Sequence, residues 1–188
     1  MSAVRDRIWI TSKTRMISER RYLSYDLAAH IMINTVSVVL LLTSIYPDEI
    51  GAVVPGLSKI NVASSLLLFA ATLIIYGFKF GERAARHREC YLKLQRLIED
   101  DMPASEMASK YSAALECYPN HADRDYFDLV FERHFKMRDA IKCPGSNDRI
   151  TPGYWVILSY IMRRVSFFSL CYLIPFGVVA ASLYALVV

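Results

Sequence analysis

The chain has 188 residues, of which 54% are hydrophobic and 12% aromatic, and its formal net charge is +4. Together with a positive mean hydropathy, these values fit one compact soluble domain or a small membrane protein. Residues 1–21 hold six basic and two acidic residues, whereas residues 80–162 hold twelve basic and thirteen acidic ones. The charge therefore does not favour direct nucleic-acid binding, which would need a basic face on the folded part.

Three uncharged runs distinguish the two classes. Residues 27–46, 60–78 and 165–188 contain no Asp, Glu, Lys or Arg, and each is close to the length of about 20 residues that spans a bilayer as a helix. A soluble core helix would carry a charge every turn or so on its solvent face. The sequence therefore predicts an all-α membrane protein, in which Pro175 interrupts the third run.

The basic residues predict the orientation, because cytoplasmic flanks keep Lys and Arg while short translocated loops lose them. Of the 22 basic residues, six precede the first run, Lys59 alone lies between the first two, and the rest follow the second. We predict a single multi-pass domain with a cytoplasmic N-terminus. Its parts are a basic helix at 1–26, a first span at 27–46, an external loop at 47–59, a second span at 60–78, cytoplasmic helices at 79–164 and a third hydrophobic helix at 165–188.

Polar residues recur along the first two spans. In the first span they fall at helical steps of three and four and share one face with Leu41: His30, Asn34, Ser37 and Ser44. In the second span they fall on a similar face, together with Tyr76: Asn61, Ser65 and Thr72. Hydrogen-bonding side chains are costly against lipid, so these stripes predict a shared wet interior that they line. The alternative is that they only join helices, since Ser and Thr can also bond to their own helix.

Small residues mark places where helices can approach closely. Gly77 and Gly81 lie four apart at the end of the second span, and the third run has a ridge of Gly177, Ala181 and Ala185. These residues favour oligomers or tight hairpins without deciding between them.

The segment between the second and third spans is predicted to be helical, and the second span to continue into it. It contains no protease, hydrolase or phosphate-binding motif, and most of its carboxylates have a basic neighbour at helical spacing, as on a solvated face. The four cysteines are spread singly, which favours free thiols over a metal site. We therefore predict no enzyme, no catalytic residue, no metal and no cofactor. Trp155 and Tyr160 are predicted to lie at headgroup level before the third span.

The opening "RIWITSKTRMISERRYLSYDLAAHIMINTVSVVLLLTSIY", the short loop into a second span and the later "YPNHADRDYFDL" together resemble the SLATT family, the SMODS- and SLOG-associating two-transmembrane effectors, and within it the branch numbered five. Two groups of residues carry the resemblance. Before the first span they are Arg7, Arg15, Arg20 and Arg21; after the cytoplasmic helices they are Asn120, His121, Asp125 and Tyr126.

The resemblance implies an effector of a bacterial antiphage, abortive-infection system, located in the inner (cytoplasmic) membrane. Such effectors resemble homo-oligomeric pores that a sensor encoded nearby activates, either a nucleotide-second-messenger synthase or a reverse transcriptase. The alternative function is a non-conducting membrane anchor or scaffold for such a soluble partner. The family name counts two spans, so the resemblance leaves open whether residues 165–188 cross the bilayer, re-enter it or lie at its surface.

Overall fold

The computed structural model describes residues 3–138, 141 and 149–185. The helices in chain order are α1 (Ala3–Ile45), α2 (Pro47–Val53), α3 (Leu57–Phe78), α4 (Phe80–Glu99), α5 (Ala104–Glu116), α6 (Asp123–Phe131), α7 (Tyr154–Phe168) and α8 (Ile174–Ala185). Two π-helical segments, Glu132–Lys136 and Ser169–Leu173, follow α6 and α7. Extended pairing in these described ranges is limited to one bridge at Arg149. Three helical stretches are long and apolar enough to cross a membrane, so the predicted all-α membrane fold is confirmed.

The chain forms two compact units, and each is built from two separate stretches of sequence. The first unit consists of Met1–Ser24 and Gly81–Arg163, and the second unit of Tyr25–Phe80 and Arg164–Val188. Helix α1 is continuous, so the predicted basic helix and first span are one element that contributes residues to both units.

The first unit has two apolar clusters, both of which include residues of α1. One joins α1 to α4 and α5 through buried side chains: Ile8, Cys90, Leu94, Leu97, Met107 and Ala114. The other joins α1 to α6 and the segment after it: Ile17, Leu129, Val130 and Ile141. Between Ile8 and Ile17, α1 also buries Ser12, Thr14 and Arg15. The core of this unit is therefore partly polar along α1.

One aromatic residue that was predicted to lie at headgroup level is buried within the first unit. Tyr160 is buried and stacks on Phe131 with a ring separation of 4.0 Å, because α7 packs this side of its first turns against the segment that follows α6. Its hydroxyl also accepts a hydrogen bond from Lys136 at 3.3 Å. Tyr160 therefore packs inside the protein, whereas Trp155 is exposed.

The second unit contains the rest of α1, α3, the end of α7 and α8. The Tyr25 ring contacts Phe80 and Phe167 at 5.8 Å and 5.6 Å, and α8 packs against α2, which follows the other end of α1. The third apolar helix therefore contacts α1 at Tyr25 and α2 through α8. The loop predicted at 47–59 contains a helix, since α2 forms directly after Tyr46 with Pro47 in its first turn.

The helix of the second span continues beyond residue 78 only after one residue of a different conformation. Lys79 has φ 50° and ψ 50°, the left-handed region that costs an L-residue roughly 1–2 kcal/mol. Phe78 and Phe80, on either side of it, stack at 5.4 Å with their ring planes 7° apart. The two aromatic rings hold the chain at the point where α3 ends and α4 begins.

Pro175 does not end the third helix. A proline lacks the N–H that would bond the carbonyl four residues earlier, and its ring clashes with that carbonyl. The helix widens to a π-helical segment over Ser169–Leu173, directly before α8, and such a widening accommodates the lost bond. The predicted interruption is therefore a local change of helix type.

Candidate functional site

The polar stripe predicted on the first span lies on the outer face of the second unit in a single chain. His30, Asn34 and Ser44 are exposed and Ser37 is partly buried. Ser37 and Ser44 donate hydrogen bonds to the carbonyls of Ile33 and Leu40 at 2.8 Å and 2.7 Å. The His30 and Asn34 side chains have no hydrogen-bond partner among the described residues. They are therefore the two polar groups of this stripe whose hydrogen bonds must come from outside the described chain.

The polar residues of the second span do not all share one environment. Asn61 is partly buried and accepts a hydrogen bond from Thr43 Oγ1 at 3.0 Å, which joins α3 to α1. Ser65 and Thr72 are exposed, and each bonds back to its own helix at 2.8 Å. The structure therefore places Asn61 in the helix contact and the other two on the outer surface of the unit.

The small residues are open in a single chain wherever the structure describes them. A Cβ added to Gly77 or to Gly177 would meet nothing within 4 Å, and Gly81 is exposed. The side chains of Ala181 and Ala185 lie outside the described residues. No close approach of another helix to Gly77 or Gly177 exists within the described part of the chain.

The first unit holds a second polar constellation, which is buried. Arg15 and Asp125 are both completely buried, with relative exposures of 0%. The Arg15 Nη1 group donates to the backbone carbonyl of Pro119 at 2.6 Å, in the connection between α5 and α6. The two motifs that carry the family resemblance are therefore in contact in the structure, because the Arg-rich helix bonds directly to the segment that contains the later motif.

Asp125 organises the contact between α1 and α6. Its Oδ2 atom accepts hydrogen bonds from Ser18 Oγ at 2.7 Å, from Arg21 Nη2 at 2.8 Å and from the backbone N–H of Ala122 at 3.2 Å. One charge-assisted and two further hydrogen bonds hold this oxygen in place. Asp125 thereby fixes the start of α6 against the middle of α1.

Two histidines complete the buried constellation. Burial and the positive charge of Arg15 lower the pKa of His87 to about 4, and the same two causes lower the pKa of His121. The His87 ring stacks on Tyr22 with centroids 5.5 Å apart and planes 13° apart. Both imidazoles are therefore neutral at physiological pH, when each nitrogen pair offers one donor and one acceptor.

The other residues of the two motifs lie around this centre. Arg20 pairs with the buried Glu132 at 3.1 Å, and Tyr126 packs against the cluster that contains Ile17. Arg7 and Asn120 are exposed. The structure thus brings the two motifs together at Arg15, Arg21, His121 and Asp125.

Sequence reasoning missed Ser12, Ser18 and His87 as members of the constellation. A signal for His87 was present, because it falls on the α4 stripe of Ala84, Cys90, Leu94 and Leu97, which is buried throughout. Ser12, Arg15 and Ser18 recur every third residue of α1. No group of three or more His, Cys, Asp or Glu side chains in the described part of the chain could hold a metal ion.

A protein-family model described as SMODS and SLOG-associating 2TM effector domain family 5 matches residues 1–181. No curated protein and no solved structure matches the chain. The matched residues include both polar constellations and most of the third apolar helix, although the description counts two spans. That helix is therefore part of what the family model describes.

Proposed function

The chain belongs to the SMODS and SLOG-associating 2TM effector domain family 5 and is a membrane effector, and from this premise we propose that it is a homo-oligomeric pore of a bacterial antiphage system. In the proposed arrangement the N-terminus is cytoplasmic, the chain lies in the inner membrane, and a sensor protein encoded nearby opens the pore. The proposed sensor is a nucleotide-second-messenger synthase or a reverse transcriptase. Activation would stop the infected cell by abolishing its membrane potential.

One observation supports the pore above the others: His30 and Asn34 are exposed on the outer face of α1 and bond to nothing else that the structure describes. An imidazole and an amide facing hydrocarbon would leave polar groups unsatisfied, which costs free energy. Further copies of the same chain would remove these groups from lipid by enclosing them around a wet interior. Ser37, Ser44, Ser65 and Thr72 would extend that lining.

The open glycines fit the same assembly. Gly77 and Gly177 have space for another helix on their surface, and backbones approach most closely at such residues in membranes. In the proposed oligomer these positions, with Gly81, Ala181 and Ala185, would lie at contacts between copies. The bilayer and other copies of this chain are thus its proposed structural partners.

A different observation favours a non-conducting anchor that holds a soluble partner. The hydroxyls of Ser37, Ser44, Ser65 and Thr72 already bond to their own helices, so they need no water. Only His30 and Asn34 of the first span would then lack a hydrogen bond. A contact with one other helix could supply these bonds, each of which contributes about 0.6 kcal/mol. This alternative predicts membrane clustering without ion flux.

Ion flux through liposomes separates the two functions. The experiment compares the wild-type protein with a His30→Leu, Asn34→Leu double variant at equal protein-to-lipid ratio, each checked for insertion. Val38→Leu serves as the matched control, because Val38 is exposed on the same helix and its replacement changes no polar group. With the activated sensor protein added to the liposomes, we expect flux from the wild type and the control and a loss of about tenfold or more in the double variant, whose stripe is more apolar.

Unchanged flux in the double variant would contradict a pore lined by this stripe. Wild-type protein that conducts nothing even with the activated sensor added, yet captures the product of a neighbouring gene through its soluble segment, would instead support the anchor.

A further inference from the structure

The centre of the first unit contains a buried cation whose charge the carboxylate beside it does not neutralise. Among the largest fully buried side chains of the described residues, Arg15 is the one cation and Asp125 the one anion. Asp125, however, forms its ion pair with Arg21, at 2.8 Å. Arg15 itself forms no ion pair with a carboxylate of the described residues, and the hydrogen bond from its Nη1 group goes to a neutral carbonyl.

The guanidinium of Arg15 uses few of its donors. Nη1 bonds the carbonyl of Pro119, while Nε and Nη2, both inaccessible to solvent, have no hydrogen-bond partner among the described residues. Removing a guanidinium from water costs several kcal/mol unless an anion and further hydrogen bonds compensate. The neutral carbonyl of Pro119 supplies one hydrogen bond and no negative charge. Arg15 therefore lacks both a counter-ion and partners for two of its nitrogens.

Three further polar side chains of the first unit also lack a hydrogen-bond partner. Ser12 Oγ, His87 Nδ1 and His121 Nδ1 are buried without a partner in the part of the chain that the structure describes. Both histidines interact electrostatically with Arg15, and Ser12 lies three residues before Arg15 on the same side of α1. A hydroxyl and two neutral imidazoles can each donate one hydrogen bond.

We propose that this group of residues, defined as Ser12, Arg15, His87 and His121, is a binding site for a phosphate group. The free Nε and Nη2 edge of a guanidinium is a planar fork whose two parallel donors match two oxygens of a phosphate. Donors from α1, α4 and the α5–α6 connection would then converge on one tetrahedral anion. The bound phosphate would supply the counter-charge that Asp125 does not give to Arg15.

The carboxylate of Asp125 fits this assignment rather than opposing it. Its Oδ1 atom is buried and has no partner among the described residues. Oδ1 can therefore accept the hydrogen of a phosphate that retains one proton, which turns a repulsive contact into a hydrogen bond. Sulfate carries no proton at neutral pH, so the site should prefer phosphate.

Access would be through the connection between α5 and α6. Pro119, Asn120 and Ala122 in this connection are exposed and His121 is partly buried, so a small displacement of few residues would uncover Arg15. The site lies wholly in the first unit, and it does not depend on whether the second unit conducts ions.

Isothermal titration of the full-length protein in dodecyl maltoside, a detergent without phosphate, tests the site. The probes are inorganic phosphate, glycerol 3-phosphate and dispersed phosphatidic acid, with sulfate for comparison. Binding of the soluble probes would identify a free phosphate or soluble ester as the source, and binding of phosphatidic acid alone a lipid headgroup; either result supports the site. Equal binding of sulfate would overturn the role assigned to Asp125 Oδ1.

The variant that removes the site is Arg15→Met, and its matched control is Arg20→Met. Arg20 is on the same helix, and its side chain is largely exposed beside Glu132, so the control loses the same charge outside the site. We expect a rise in the dissociation constant of roughly ten- to hundredfold in Arg15→Met, the range for charge-assisted hydrogen bonds, and little change in the control. Equal affinity in both variants, or no saturable binding by the wild type, would overturn the proposal.

A measurement on the wild type alone covers the case in which Arg15→Met does not fold. Nuclear magnetic resonance of isotope-labelled histidine follows the pKa of His87, which is about 4 without an added anion. A bound phosphate would favour the protonated imidazole and raise this pKa by about one unit or more. A pKa of His87 that phosphate and chloride leave equal would contradict the site.

Discussion

In the first unit Arg15, Asp125 and His87 are buried among side chains of α1, α4 and the α5–α6 connection, whereas in the second unit His30 and Asn34 are exposed. The buried groups bond mostly to partners distant in sequence, such as Ser18 and Arg21 to Asp125. The hydroxyls of the spans bond mostly to carbonyls four residues away. Buried polar residues in the first unit therefore determine how its own helices pack, and in the second unit His30 and Asn34 are exposed to other molecules.

The largest test of this difference is Asp125→Ala. Because it removes the buried carboxylate that Ser18, Arg21 and the Ala122 N–H all contact, we expect the first unit to lose about 3–5 kcal/mol of stability. The rate at which Cys90 is alkylated in urea measures this loss, since Cys90 is completely buried and reacts only on opening. The assay uses a protein in which the other three cysteines are serine.

Glu106→Ala is the matched control for that experiment. Glu106 pairs with Lys110 at 2.9 Å on the surface of α5, with both side chains about half exposed, and such pairs contribute about 0–1 kcal/mol. Equal alkylation of Cys90 in the two variants would remove the distinction between a buried organising carboxylate and a surface one.

The next largest effect is a pH dependence that belongs to the first unit. His87 has a folded-state pKa of about 4 against 6.5 for the free side chain, so the unfolded chain binds the proton more readily. The stability that the neutral form contributes is complete above about pH 6.5 and is lost as the pH falls from about 6.5 to about 4. The loss in the free energy of unfolding from this one group is at most roughly 3 kcal/mol.

The variant His87→Phe identifies the residue responsible, because phenylalanine retains a ring against Tyr22 and does not titrate. In phosphate-free buffer we expect the stability of the variant, from Cys90 alkylation, to change less between pH 7 and pH 4.5 than that of the wild type. Parallel pH curves for the two proteins would assign the acid sensitivity to other groups.

The smallest effect concerns the second unit. Thr43→Val removes the hydrogen bond from Thr43 to Asn61 and should cost about 0.6 kcal/mol and at most ~2 kcal/mol, as interhelical hydrogen bonds in membranes do. Unfolding in dodecyl sulfate, followed by the loss of helical circular dichroism, measures it. Thr72→Val is the control, because the hydroxyl of Thr72 bonds only to Leu68 in its own helix, and a larger loss there than at Thr43 would contradict this account.

The spans could be predicted from the sequence because uncharged length is a local property. The runs at 27–46 and 60–78 needed no knowledge of any partner, and the face shared by His30 and Asn34 follows from helical spacing alone. The short helix α2 was missed because its seven residues are too few for a periodic pattern.

The buried constellation could not be predicted in the same way, because burial depends on contacts between distant residues. Arg15 and Arg20 are the same residue type, and both precede a span. The sequence therefore suggests for each the role of a cytoplasmic flank that sets the orientation of the chain. In the structure Arg15 is buried and Arg20 is largely exposed. The resemblance selected Asp125 and His121 as a group, but their contact with Arg15 required the fold.

The first unit is assembled from two stretches of chain that are separated by the whole of α3, and this has a consequence for synthesis. When the ribosome has completed residues 1–80, Arg15 and Arg21 have been made but Asp125 has not. The first unit cannot form until α4, α5 and α6 have followed, by which time the hairpin of α1 and α3 is complete. A chain whose translation stops early therefore carries His30 and Asn34 on the hairpin of α1 and α3, without the unit that Asp125 organises and without the Arg164–Val188 part of the second unit.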